Sequence, residues 1–124
     1  MPKPDVDIFD RAIALAKKST MNQKHGAVIV KNGEIIAEGY NHIATYMSHS
    51  WSCHAEVAAL LALRNKNKKY LEDCTMIVVR VSNHTTAPQC LKMSKPCAKC
   101  TEQIVKHGIR KVFFSTNVEV EDQV

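Results

Sequence analysis

Apolar residues change their spacing along this chain, and each change falls at a turn residue. Val6, Phe9, Ile13 and Ala16 recur at three- and four-residue steps, so "DVDIFDRAIALAKKS" predicts a helix with one apolar stripe. Asp5 or Asp7 can cap its start, and Lys17 and Lys18 suit the negative end of its dipole. "HGAVIVKNGEIIAEGYN" predicts two strands joined at Asn32-Gly33, a pair that accepts the positive φ of a type I′ turn. Ala27 to Val30 are apolar at every position, as in a strand covered on both faces. "HAEVAALLALRNKNK" predicts a mostly buried helix from about residue 54 to about residue 64, because Val57, Ala58, Leu60, Leu61, Ala62 and Leu63 wrap it almost completely. "TMIVVRVS" predicts a strand rich in β-branched residues. "PCAKCTEQIVKHG" predicts a helix that opens on Pro96 and stops at Gly108, and "RKVFFS" predicts another strand. "HIATYMSHSWSC" reads as a loop, and from about residue 116 there is room for at most one short strand or a tail.

The order is helix, hairpin, helix, strand, helix, strand. It predicts an α/β chain with helices packed on a mixed sheet, and parallel pairing after the hairpin. The helices beginning near His54 and Pro96 follow successive strands, so their N-termini are expected at the same end of the sheet. That is the end at which open α/β sheets hold their ligands.

Composition narrows the class. The 124 residues suit one domain, residues 1–124. No run approaches the roughly 20 apolar residues of a membrane span, and the polar, acidic start is unlike a signal peptide, so a cytoplasmic protein with no membrane partner is expected. A net charge of +5 favours anionic partners, with nucleic acid possible but not favoured over a small-molecule substrate. Five cysteines, an odd number, argue against a disulfide framework, and Cys53 and Cys74 read as packing thiols.

The chemistry gathers at two places. His54 and Glu56 open the buried helix, and Cys97 and Cys100 stand three apart on the first turn of the later one. One imidazole and two thiolates make three zinc ligands, and a fourth position left to water is the arrangement of catalytic rather than structural zinc. Positive helix N-termini favour thiolates. Glu56, beside the metal rather than on it, can carry a proton between the bound water and a substrate. Competing readings are that His54 only caps its helix, or that the cysteines close a structural zinc site with Cys90 and perhaps His84 or Cys53. The basic run "RNKNKKY" reads as a solvated helix end rather than a phosphate grip.

His54, Ala55 and Glu56 in "CHAEVAAL", with Pro96, Cys97 and Cys100 in "SKPCAKCTEQIVKHGIRKVFF", resemble the zinc-dependent cytidine and deoxycytidylate deaminase family. "GAVIVKNGEIIAEGYN" is similar to the first hairpin of that family. The resemblance implies a three-layer α-β-α fold with a mixed sheet of four to five strands. It implies zinc held by His54, Cys97 and Cys100, and Glu56 as the catalytic proton carrier. It also implies substrate contacts from Asn41 and the Ala55 amide, and a base pocket lined by His25 to Ala27. The activity implied is hydrolytic deamination of a cytosine-type base, nucleoside or nucleotide by a homo-oligomer, dimer or tetramer. The alternatives are a nucleic-acid editing deaminase of the tRNA adenosine type and a non-catalytic zinc-binding assembly module.

Overall fold

The computed structural model describes residues 6–21, 23–46, 49–81, 91–92, 96, 98–115 and 120–123. Helix α1 spans Val6–Lys18. Strands β1 (Lys24–Lys31) and β2 (Glu34–Tyr40) form the expected hairpin, with Asn32 at φ 53° and Gly33 at φ 81°. One extra residue, Ile36, bulges from β2, since Ile29 pairs with Ala37 and Val30 with Ile35. The segment read as a loop is instead a second hairpin, β3 (His42–Tyr46) against β4 (His49–Cys53), which stands apart from the main sheet.

Helix α2 runs Ala55–Leu61, shorter than its apolar pattern implied. The chain turns through residues 62–65 and starts a one-turn helix α3 (Lys68–Leu71), capped by the Asn67 side chain accepting from the Tyr70 amide at 2.9 Å. Asn and Lys without a further apolar stripe cannot continue a buried helix, whereas Asn67 can begin a new one. Arg64 and Lys66 to Lys69 are exposed, in line with a solvated helix end.

Strand β5 (Thr75–Val81) is followed by the two-residue β6 (Leu91–Lys92), α4 (Ala98–His107), β7 (Lys111–Ser115) and β8 (Val120–Gln123). Gly108 at φ +99° ends α4. Its amide donates to Val105 and that of Ile109 to Ile104, closing the last carbonyls. The main sheet has the order β2-β1-β5-β7-β8, with β6 on the end of β5. β5 and β7 are parallel, while β1 is antiparallel to both β2 and β5, so β2 and β5 run the same way without touching. The stretch from residue 116, open to a short strand or a tail, therefore contains a fifth strand, β8, paired antiparallel to β7.

Strand alternation sorts the core into two layers. Val28, Val30, Ile77, Val79, Val81 and Phe113 face α1 through Ala12, Leu15 and Ala16. Ala27, Ile29, Ala37, Met76, Val78 and Phe114 face the layer of α2 and α4. The α1 stripe is turned from its predicted centre: Ala12, Leu15 and Ala16 are buried, and Phe9 and Ile13 only flank them.

The reason is the fit of two glycines. A Cβ on Gly26 would lie 2.6 Å from the Ala16 amide nitrogen and strike the Ala12 carbonyl, so α1 rests directly on β1 there. A Cβ on Gly39 would lie 2.6 Å from both the Ala55 carbonyl and the Ala59 nitrogen, so α2 rests equally closely on β2. Arg11 adds a bidentate ion pair from α1 to Glu38 on β2, at 2.5 and 2.8 Å, which holds the Glu38 carboxyl below the usual carboxylate range.

The end of β2 is tied to the start of β1 by Asn41. Its Oδ1 accepts from the His25 amide at 2.8 Å, its Nδ2 donates to the Gln23 carbonyl at 2.5 Å, and its own amide donates to the His25 carbonyl at 3.2 Å. The residue is buried, so this clasp replaces water on both its amide groups.

Two predictions follow from these contacts. Gly26→Ala and Gly39→Ala should each cost about 2–3 kcal/mol in urea unfolding, because the clashes are with backbone that cannot rotate away. A strand glycine without such contacts would instead gain about 0.5–1 kcal/mol on becoming alanine, which is the contrary result. Asn41→Ala should cost about 1–3 kcal/mol by the same measurement, since it leaves the buried polar groups of residues 23–25 unpaired. A change under about 0.5 kcal/mol would show that the clasp is dispensable.

Candidate metal centre

Helix α2 starts from His54, which is extended at φ −73° and ψ 151°, and whose carbonyl accepts the first helical bond from the Ala58 amide at 2.9 Å. The imidazole forms no capping bond to its own helix. It turns instead toward α4, where its Nδ1 lies 3.1 Å from the Cys100 Sγ. The two atoms belong to residues 46 apart, brought together because α2 and α4 lie side by side on one face of the sheet. His54 is solvent-exposed, whereas Cys100 retains 1% of its surface.

Glu56 follows in the first turn of α2 and keeps only 4% of its surface. Burial pushes its carboxyl up from the ordinary value. Its own backbone amide, the charge of His54 and a hydrogen bond with Cys100 pull the other way. His54 and Cys100 meet directly, and Glu56 lies near enough to feel both, but among the described residues no three His, Cys, Asp or Glu side chains stand close enough together to hold a metal.

The donor set suits zinc. At Zn–N and Zn–S distances near 2.1 and 2.3 Å, tetrahedral ligands stand about 3.6 Å apart; the 3.1 Å between Nδ1 and Sγ is a hydrogen-bond separation, so the pair would open by roughly half an ångström to take a metal. Cys97, the remaining predicted ligand, lies outside the described residues.

The residues expected to meet a substrate divide. His25, at the start of β1, is partly exposed and close enough to His54 to feel its charge. Burial, with the nearby charges of Arg80 and His54, holds its imidazole toward the neutral form, against a hydrogen bond with the Gln23 backbone. Ala27 and Ala55 have no exposed surface and belong to the core between the sheet and α2. Both polar ends of the Asn41 side chain are engaged with backbone, so its first role is to place His25.

Sequence reasoning passed over Arg80. The signal was there: one charged residue in the otherwise apolar "TMIVVRV". A cleft of about 350 Å³ lies elsewhere, along the outer edge of β2 between Leu15, Lys18, His42 and Ala58, and holds none of the predicted site residues.

Comparison with known proteins gives a consistent family. The model of the cytidine and deoxycytidylate deaminase zinc-binding region matches residues 2–116. The riboflavin biosynthesis protein RibD of Actinobacillus pleuropneumoniae is 34% identical over 117 residues, covering 91% of this chain and 26% of that protein. A tRNA-specific adenosine deaminase of Aquifex aeolicus is 35% identical over 91 residues, 73% of this chain and 50% of that protein. The chain therefore spans half or less of the length of these two relatives. The structure of cytidine deaminase from Burkholderia pseudomallei shares the fold, with a TM-score of 0.69 at 21% identity, covering 98% of this chain and 92% of that one. With the matched region running through both helices that carry the site, this chain belongs to the cytidine and deoxycytidylate deaminase zinc-binding family.

Proposed function

We propose that this protein is a zinc-dependent hydrolase that replaces the ring amino group of a cytosine-type base, nucleoside or nucleotide by a carbonyl and releases ammonia. The observation that carries the reading is the approach of the His54 imidazole to the Cys100 thiol with the buried Glu56 carboxyl beside them. His54 and Cys100, with Cys97, would hold the metal. Bound zinc supplies a water whose pKa is lowered to about 7.

The protein's own groups do the rest. Glu56 takes a proton from the attacking water at its carboxylate and gives it to the ring nitrogen beside the aminated carbon; it then takes the proton of the hydroxyl now on that carbon and delivers it to the departing amine, so that ammonia leaves and a carbonyl remains. Its near-complete burial excludes bulk water from that exchange. His25, its imidazole biased toward the neutral form by burial and its backbone placed by Asn41, would form the wall of the base pocket. The buried Ala55 below the pocket keeps the first turn of α2 seated on the sheet.

A tRNA-type substrate has weaker support. The exposed run Arg64, Lys66, Lys68 and Lys69 lies past the C-terminal end of α2 and against the C-terminal end of α4 at Gly108, away from His54. No helix among the described residues is long and apolar enough to cross a membrane. A cytoplasmic homo-oligomer remains our reading, supported by the exposed Leu61 and Val105 on the neighbouring helices α2 and α4.

Glu56→Gln should keep zinc and fold while lowering the rate of ammonia release by about 10²–10⁴-fold. Turnover within threefold of wild type would remove Glu56 from proton transfer. Cys100→Ala should bring zinc content well below one per chain and lower the unfolding midpoint, because metal binding and folding are coupled at such sites. A stoichiometric metal analysis of that variant would take Cys100 out of the ligand set.

A further inference from the structure

We propose that Arg80 binds the phosphate of the substrate, so that the preferred substrate is a phosphate ester rather than a free base or nucleoside. This deepens the deaminase reading above and rests on it.

Position comes first. Along β5, Met76 and Val78 face the layer of α2 and α4, while Ile77, Val79 and Val81 face α1. Arg80 shares the parity of Met76 and Val78, which sets it on the face that carries the metal centre. It is the strand partner of His25 on β1 and of Lys92 on β6. It stands near the end of β5, the end of the sheet at which α2 and α4 begin.

The second observation is chemical. The Arg80 amide donates to the Ser115 hydroxyl at 3.1 Å, which pins the strand end. Its side-chain Nε is buried and has no hydrogen-bond partner. The ion pairs among the described residues are Arg11 with Glu38, Lys31 with Asp73 and Arg110 with Glu72, and none includes Arg80. A guanidinium is always charged, and it offers a planar fork that matches a phosphate bidentately. A neutral ring carbonyl would satisfy Nε but leave the charge without a counterpart among the described residues. The cross-strand neighbours, His25 and Lys92, supply no negative charge. A phosphate supplies both the acceptor atoms and the charge.

The test uses the zinc-loaded full chain, with Arg80→Ala and, as a variant that keeps charge but loses the fork, Arg80→Lys. Ammonia release is measured on cytidine, its 5′-monophosphate, the deoxy pair and a short cytosine-containing oligonucleotide. Binding of cytidine, the monophosphate and inorganic phosphate is measured by calorimetry, independently of turnover.

Wild type should favour the monophosphate over the nucleoside, and Arg80→Ala should reduce that ratio of kcat/KM about 10- to 100-fold, chiefly through KM, with the same loss in the binding ratio. Arg80→Lys should fall between the two, and carries the test if the alanine variant does not fold. A phosphodiester source would show as the same Arg80 dependence on the oligonucleotide and not on the monophosphate. Equal losses for nucleoside and nucleotide, or no phosphate preference in wild type, would overturn the proposal. Arg80-dependent binding of the monophosphate without ammonia from any compound would sink the deaminase reading and leave the anion site standing. Nucleoside turnover with no phosphate effect would do the reverse.

Discussion

The site depends on how closely one helix can lie on one strand. At Gly39 the backbone of α2 comes so near β2 that even a methyl group has no room. Alanines continue the seam on both sides: Ala27 and Ala37 on the sheet, Ala55 and Ala59 on the helix. This close seating sets the height of His54 and Glu56 above the sheet. α4 packs beside α2 on the same layer, so the height of α2 also decides whether His54 meets Cys100. Gly26 does the same for α1 from the opposite face, and the register places the two glycines one step apart on paired strands. The sheet is clamped where both helices press hardest, beside the end that carries the chemistry.

The clamp also explains how polar groups survive in so apolar a place. A buried carboxyl is costly, and Glu56 is almost fully buried. It occupies the first turn of α2, where the helix dipole and free amides favour negative charge. The thiol of Cys100 enjoys the same advantage on α4. A site built on two helix N-termini gains electrostatic support for anionic ligands from backbone alone. The side chains then need only aim.

Much of this was legible in the sequence because local chemistry and global fold agree there. Asn32-Gly33 names its turn, Gly108 its helix end, and the uninterrupted apolar run Ala27–Val30 its burial on both faces. His54, Glu56 and Cys100 stood out as candidates because spacing within each helix is a short-range property, and the fold brings His54 against Cys100. What failed was long-range. The hairpin of β3 and β4 lacks an Asn-Gly signal, and the acidic "VEDQ" that supplies β8 holds a single apolar residue. Each strand is specified by the partner it finds rather than by its own pattern. Asn41 also clasps backbone 16 and 18 residues away, and no spacing rule exposes that. Arg80 was visible as a letter yet mute, since its meaning lies in the absence of a partner.

That absence has an energetic consequence. A methionine or leucine at position 80 would continue the row of Met76 and Val78 without leaving a donor unpaired. Arginine leaves a buried N–H unsatisfied, at about 1–3 kcal/mol in the ligand-free state. Any ligand that accepts from Nε recovers this on binding, so local stability and ligand affinity are linked through the same atom. The residues proposed to hold the metal sit on or beside helices, and α2 is held to the sheet by backbone contact at Gly39. His25 and Arg80, paired across the strand ends, lie outside the glycine contacts that seat the helices. Relatives about a third identical carry names as different as riboflavin biosynthesis and tRNA adenosine deamination. Such divergence is physically cheap if selectivity resides in the floor of the pocket and the reaction in the helices above it.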